Sequence, residues 1–82
     1  LRDKRNLRIE EVIIPKNSWV IGKKFSDIQL REKVGLQVIA FQDPISQGYN
    51  YCPMPDDIIQ EEMTLITMGD PDRIQTLEDY IK

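Results

Sequence analysis

Fourteen carboxylates and not one histidine define the chemistry open to this 82-residue chain. The acidic side chains fall in adjacent pairs at Glu10-Glu11, Asp56-Asp57 and Glu61-Glu62. Oxygen ligands of this kind could hold Ca²⁺ or Mg²⁺, but none of the pairs has the alternating spacing of a calcium loop, and neighbours on a strand point to opposite faces. They read as solvated surface charge. Without histidine, imidazole acid-base chemistry, Ser-His-Asp triads and Cys-His pairs are excluded. The single cysteine, Cys52 between Tyr51 and Pro53, can form neither an internal disulfide nor a zinc set, which fits an intracellular setting and a packing role for the thiol. Gly22, Gly35, Gly48 and Gly69 are scattered turn positions from which no phosphate loop or dinucleotide fingerprint can be written. The chain is expected to be neither an enzyme nor a metal protein.

What remains is binding. Trp19, Phe25, Tyr49, Tyr51 and Tyr80 show no arrangement of stacking platforms beside basic residues, and with a net charge of -3 the expectation is no nucleic-acid partner. Trp19 with Val20 and Ile21 forms the most conspicuous apolar group, suited either to the core or to a subunit interface. Arg2, Lys4, Arg5 and Arg8 cluster at the start and read as a solvated linker. No apolar run approaches the roughly 18 to 20 residues of a membrane span, so no direct membrane insertion is expected of this segment. The chain begins with Leu1 rather than Met and is expected to be a piece of a longer protein. A domain of this size buries only about 60 to 65% of its unfolded surface, which favours a homodimer.

The elements that would carry these residues follow from periodicity. Residues 7–14 end in a β-branched run stopped by Pro15 and read as a strand. Ser26 is the expected N-cap of a helix to about Val34, with Phe25, Ile28 and Leu30 inward and Gly35 at its end. The near-continuous apolar run at 36–41 predicts a central strand covered on both faces. Asp43-Pro44 and Gly48 lead to a short returning strand at 49–54, which Pro53 and Pro55 confine to an edge. An acidic connector, 55–62, precedes a strand at 63–68, and Asp70-Pro71 opens a final helix with Ile74, Leu77 and Ile81 inward. The order strand-helix-strand-strand-strand-helix describes an α+β two-layer domain, a mixed or antiparallel sheet with helices packed on it. Residues 8–82 form the domain and 1–7 a linker remnant.

Residues 18–41, with an apolar residue before Gly22-Lys23, a short helix carrying Leu30-Arg31, Gly35 and a Val38-Ile39 strand, resemble the opening half of the TrkA-C domain, the C-lobe of the regulator of potassium conductance. Residues 53–69 are similar to its second half, except that Glu61-Glu62 stands where Gly-Asp is common. The resemblance implies a cytoplasmic, ligand-sensing and dimerising regulatory domain, serving a potassium channel or another cation transport system directly or through an adjoining nucleotide-binding domain. A purely structural dimerisation module is the alternative. It further implies a nucleotide effector such as cyclic di-AMP. Val38 and Ile39 match that site's apolar wall and Asn50 its polar contact, whereas Gln42 and Asp43 occupy the place of the expected arginine. Trp19, Val20, Ile21 and Tyr51 are the residues assigned to the dimer interface.

Overall fold

Hydrophobic alternation in three six-residue runs produces one sheet. In the computed structural model, which describes residues 7–82, strands β1 (Arg8–Ile13), β2 (Gln37–Gln42), β3 (Tyr49–Asn50) and β4 (Thr64–Gly69) assemble in the order β1-β4-β2-β3. Every pairing is antiparallel. Of the basic cluster at the start, Arg2, Lys4 and Arg5 lie outside the described residues. Helices α1 (Phe25–Ile28), α2 (Leu30–Lys33) and α3 (Pro71–Tyr80) complete the chain, and the domain is the two-layer α+β architecture expected.

The core forms between one sheet face and the helices. Val12 and Leu65 face each other across β1 and β4, and Leu30, Val34, Leu36, Ile74, Leu77 and Ile81 close over them. Thr67 is a polar residue inside this layer. Its hydroxyl donates to the Glu10 carbonyl at 3.0 Å, so the fully buried oxygen costs little. Among the described residues, no helix covers the other sheet face.

Four local expectations are corrected. The single helix over 26–34 is two single turns separated by Gln29, which takes φ 52 and ψ 49. A continuous helix would set Ile28 and Leu30 about 200° apart on its surface. The left-handed step lets both be buried, at a backbone cost on the order of 1 kcal/mol. The N-cap is Lys24 rather than Ser26, and the Asp27 carboxylate accepts from the Lys24 amide at 3.4 Å. Ser26 already lies inside α1, and its free amide donates to the Pro55 carbonyl at 3.0 Å.

The strand expected at 49–54 stops after Asn50. Asn50 Oδ1 accepts from the Cys52 amide at 3.1 Å, a side-chain turn that diverts the backbone from the ladder before the prolines are reached. Central β2 is not covered on both faces. Its apolar run is continuous for another reason: a bulge between Val38 and Ala40 pairs them with Thr67 and Ile66, leaving Ile39 as the extra residue.

The final helix matches its sequence signals. Asp70 accepts from the Arg73 amide at 2.9 Å, Pro71 occupies the first turn, and Ile74 and Leu77 are buried. Its C-terminal end is held by the loop after β1. Ser18 Oγ donates to the Ile81 carbonyl, Trp19 Nε1 to the Tyr80 carbonyl at 2.6 Å, and Tyr80 OH to the Ile28 carbonyl at 2.8 Å.

Candidate functional site

The bulge on β2 determines where the candidate ligand residues point. Val38 turns to the helix side with its partner Thr67, whereas Ile39 and Ala40 both line a depression of about 430 Å³ on the open sheet face. Asn50 lines neither hollow and uses its side-chain oxygen on its own turn. The structure therefore does not bring Val38, Ile39 and Asn50 together within one protomer. The loop expected to carry a cation also lacks one: Asp43 Oδ1 accepts from the Ile45 and Ser46 amides at 2.7 and 3.2 Å, and Gln42 Nε2 donates to the Gln47 carbonyl at 2.9 Å.

The open face carries an apolar patch from β1 to the β3 side, interrupted by Glu11, Gln37, Gln42 and Thr64, which the register places on the same face. β1 contributes Ile9 and Ile13, β4 Ile66 and Met68, and the β3 side Tyr49 and Tyr51. Ile9, Ile13, Tyr49 and Tyr51 are 62, 61, 45 and 74% exposed. The two tyrosine rings lie 5.8 Å apart at 22°, a stacked pair that the sequence reading did not foresee, although the Tyr-Asn-Tyr alternation places both on one side. Glu10 and Glu11 stand at the β1 rim of the depression, and no lysine or arginine among the described residues lines it. A phosphate would be repelled there; an apolar partner would not.

The residues assigned to an interface separate in the same way. Val20 is fully buried and belongs to the protomer's own core, because its neighbour Gly22 bonds back to the Ile59 carbonyl and draws the loop inward. Ile21 packs against that core. Trp19 is half-exposed, but its indole is committed to α3 through the Tyr80 carbonyl and an edge-to-face contact of 5.3 Å with the Tyr80 ring. Tyr51 alone of the four lies on the open sheet face.

A second cleft, about 410 Å³, opens on the helix side between α1–α2 and the segment 53–55. Phe25, Leu36, Val38 and Met54 supply apolar wall, and Ser26, Gln29, Arg31 and Glu32 its polar groups. The connector is strapped to the helix start by Ser26 N to Pro55 O at 3.0 Å and Phe25 N to Asp57 O at 3.1 Å, so both walls are fixed by backbone bonds. Arg31 lies away from β2 in sequence, and only the folding of α2 over Val38 brings it to this wall.

The TrkA-C domain family matches residues 9–82. The chain belongs to the TrkA-C domain family. No curated protein matches it. Solved structures share its fold at low identity. The RCK_C domain dimer of S. agalactiae BusR in complex with c-di-AMP is 20% identical, with a TM-score of 0.83 over 93% of this chain and 91% of that one. The RCK C domain of the potassium transport protein KtrA in complex with c-di-AMP is 19% identical, with a TM-score of 0.81 over 98% and 89%. The GsuK channel bound to NAD is 22% identical, with a TM-score of 0.79 over 95% of this chain but only 14% of that one.

One expectation is overturned by these likenesses. The domain fold also occurs in S. agalactiae BusR in complex with its busAB-promoter DNA, at 19% identity and a TM-score of 0.81. The inference from net charge to no nucleic-acid partner therefore fails. This chain spans 35% of that BusR chain, and the charge of one domain does not constrain the contacts of a chain about two and a half times its length.

Proposed function

We propose that residues 8–82 are a TrkA-C regulatory domain that works as a homodimer in the cytoplasm, modulating a potassium or other cation transport system in response to a nucleotide effector. The observation that carries the dimer is the uncovered apolar patch running from β1 to the β3 side. Three six-residue strands and the two-residue β3 span about 300 Å² in projection. Two such faces packed at the usual separation of about 10 Å remove on the order of 700 Å² from water, below the usual range of stable interfaces, so this face alone supports a weak dimer. A second copy is the occupant that best fits a face with this apolar character, and a similar isolated domain from BusR is a dimer.

Family membership and the likeness to the KtrA domain and the GsuK channel support the transport reading. In such a dimer, Ile39 and Tyr51 of both copies would meet near the interface; an effector whose bases pack between them, with its phosphates directed away from Glu10 and Glu11, would act through its differential affinity for two dimer arrangements. Sedimentation equilibrium of the 82-residue chain, with and without cyclic di-AMP, tests the reading. A monomer–dimer equilibrium shifted towards dimer by the dinucleotide is the expected result. A monomer at all concentrations would refute the dimer, and a dimer indifferent to cyclic di-AMP would remove that effector.

A further inference from the structure

The open sheet face offers no cation, yet the helix-side cleft has one that nothing else in the fold employs. Among the described residues the ion pairs are Lys16–Glu62, Lys24–Asp56 and Lys82–Asp79, so the Arg31 guanidinium and the Glu32 carboxylate pair with no other residue. Ser26 and Gln29 add a hydroxyl and an amide to the same wall, and neither side chain has a hydrogen-bond partner among the described residues. Three sets of spare donors thus converge on a cleft whose remaining wall is apolar and includes the Phe25 ring, itself backed by Phe41 at 5.7 Å.

We propose that this cleft binds a small planar-ring ligand carrying one anionic group, with the ring against Phe25, Val38 and Met54 and the anion on Arg31. Its volume of about 410 Å³ lies at the small end of the range for ligand sites, which suits a single ring system with one substituent. Gln29 holds a left-handed conformation that the burial of Ile28 and Leu30 accounts for. The step at Gln29 has one further effect: it re-aims α2 so that Leu30 enters the core while the adjacent Arg31 stays at the cleft wall. Glu32 stands at the same wall and would oppose an anion as Arg31 would oppose a cation; the anion is assigned because the guanidinium presents a two-pronged donor fork that matches phosphate or carboxylate, with the Ser26 hydroxyl and the Gln29 amide beside it. This site lies on the opposite side of the sheet from the face assigned to the second copy, and it stands or falls independently of the dimer.

The test is a titration of the isotopically labelled 82-residue chain with AMP and with indole-3-acetate, followed by the methyl signals of Val38 and Met54 and the side-chain N–H of Arg31. The expected result is saturable movement of those signals with at least one of the two, and the responding compound identifies the anion as phosphate or carboxylate. Adenosine, or indole in the second case, should bind about tenfold more weakly, and Arg31→Gln should weaken the anionic compound by about the same factor while leaving the neutral one unchanged. Arg31→Lys should retain part of the loss. Absence of movement with both compounds overturns the proposal. So does an Arg31→Gln variant that binds as the parent does, or movement confined to Ile39, Tyr49 and Tyr51. Sedimentation of the same variant separates the two readings, because Arg31→Gln should dimerise as the parent chain does.

Discussion

Replacing Ile9 by serine separates the dimer from the fold. Ile9 sits on β1 opposite Met68 and is 62% exposed in the protomer, so most of its side chain contributes nothing to the protomer's core. Full burial of an isoleucine stabilises by roughly 1.5–3 kcal/mol, and the exposed share of that is about 1–2 kcal/mol. A two-fold interface counts the residue twice, giving about 2–4 kcal/mol per dimer, or a dissociation constant raised roughly 30- to 1,000-fold. The protomer itself loses only strand propensity and one cross-strand pair, under about 1 kcal/mol. Sedimentation velocity over a concentration series reads the first quantity and urea unfolding at low concentration reads the second. Ile45→Ser is the control: Ile45 is more exposed, at 89%, but lies in the loop between β2 and β3 and outside the sheet face. Equal weakening by the two variants, or an Ile9→Ser chain that dimerises unchanged, would refute the assignment of the open face.

The remaining expectations concern the protomer. Ser18→Ala leaves the buried carbonyl of Ile81 without its donor and should cost about 1–3 kcal/mol in urea unfolding. Trp19→Phe keeps an aromatic contact with Tyr80 but loses the indole bond to its carbonyl, and a smaller loss near 1 kcal/mol is expected by the same assay. Asp70→Ala removes the cap of α3 and should lower stability by about 1 kcal/mol, with hydrogen exchange increasing first in residues 71–74. Leu65→Ala opens a cavity at the centre of the sheet and should cost about 2–5 kcal/mol, enough to leave so small a domain largely unfolded by circular dichroism.

How legible each part was depended on whether its determinant was local. Asp70-Pro71 specified the start of α3 because a cap and a first-turn proline act within four residues, and the structure places the helix there. The Lys24 cap was harder to see, since lysine is no capping residue and Asp27 supplies the carboxylate from inside the helix. The break at Gln29 was invisible locally: nothing in Ile28-Gln29-Leu30 disfavours helix, and only the demand that both apolar side chains reach one core forces the step. The apolar run on β2 was read as two-sided burial when its cause is a bulge, a feature that depends on the register with β4. The helix-side cleft was not legible because one of its walls comes from residues 53–55, more than twenty positions from the Arg31 side of it.

The same bulge gives β2 an unusual place in the domain. Val38 and Ile39 are adjacent in sequence, yet one forms wall in the helix-side cleft and the other floor in the sheet face. An occupant of either side bears on the same peptide unit. Were the cleft ligand to favour one setting of the bulge and the second copy to favour the same one, each would tighten the other's binding by an identical factor, since coupling between two equilibria is reciprocal. A regulatory domain needs such a bistable element rather than a large surface, and the irregular pairing between Val38 and Ala40 is where the β2–β4 ladder departs from regular register. The dimer dissociation constant measured with and without saturating AMP or indole-3-acetate reads that coupling directly: a change in the constant shows that the two sides are coupled, and an unchanged constant means the two sides of the strand act separately.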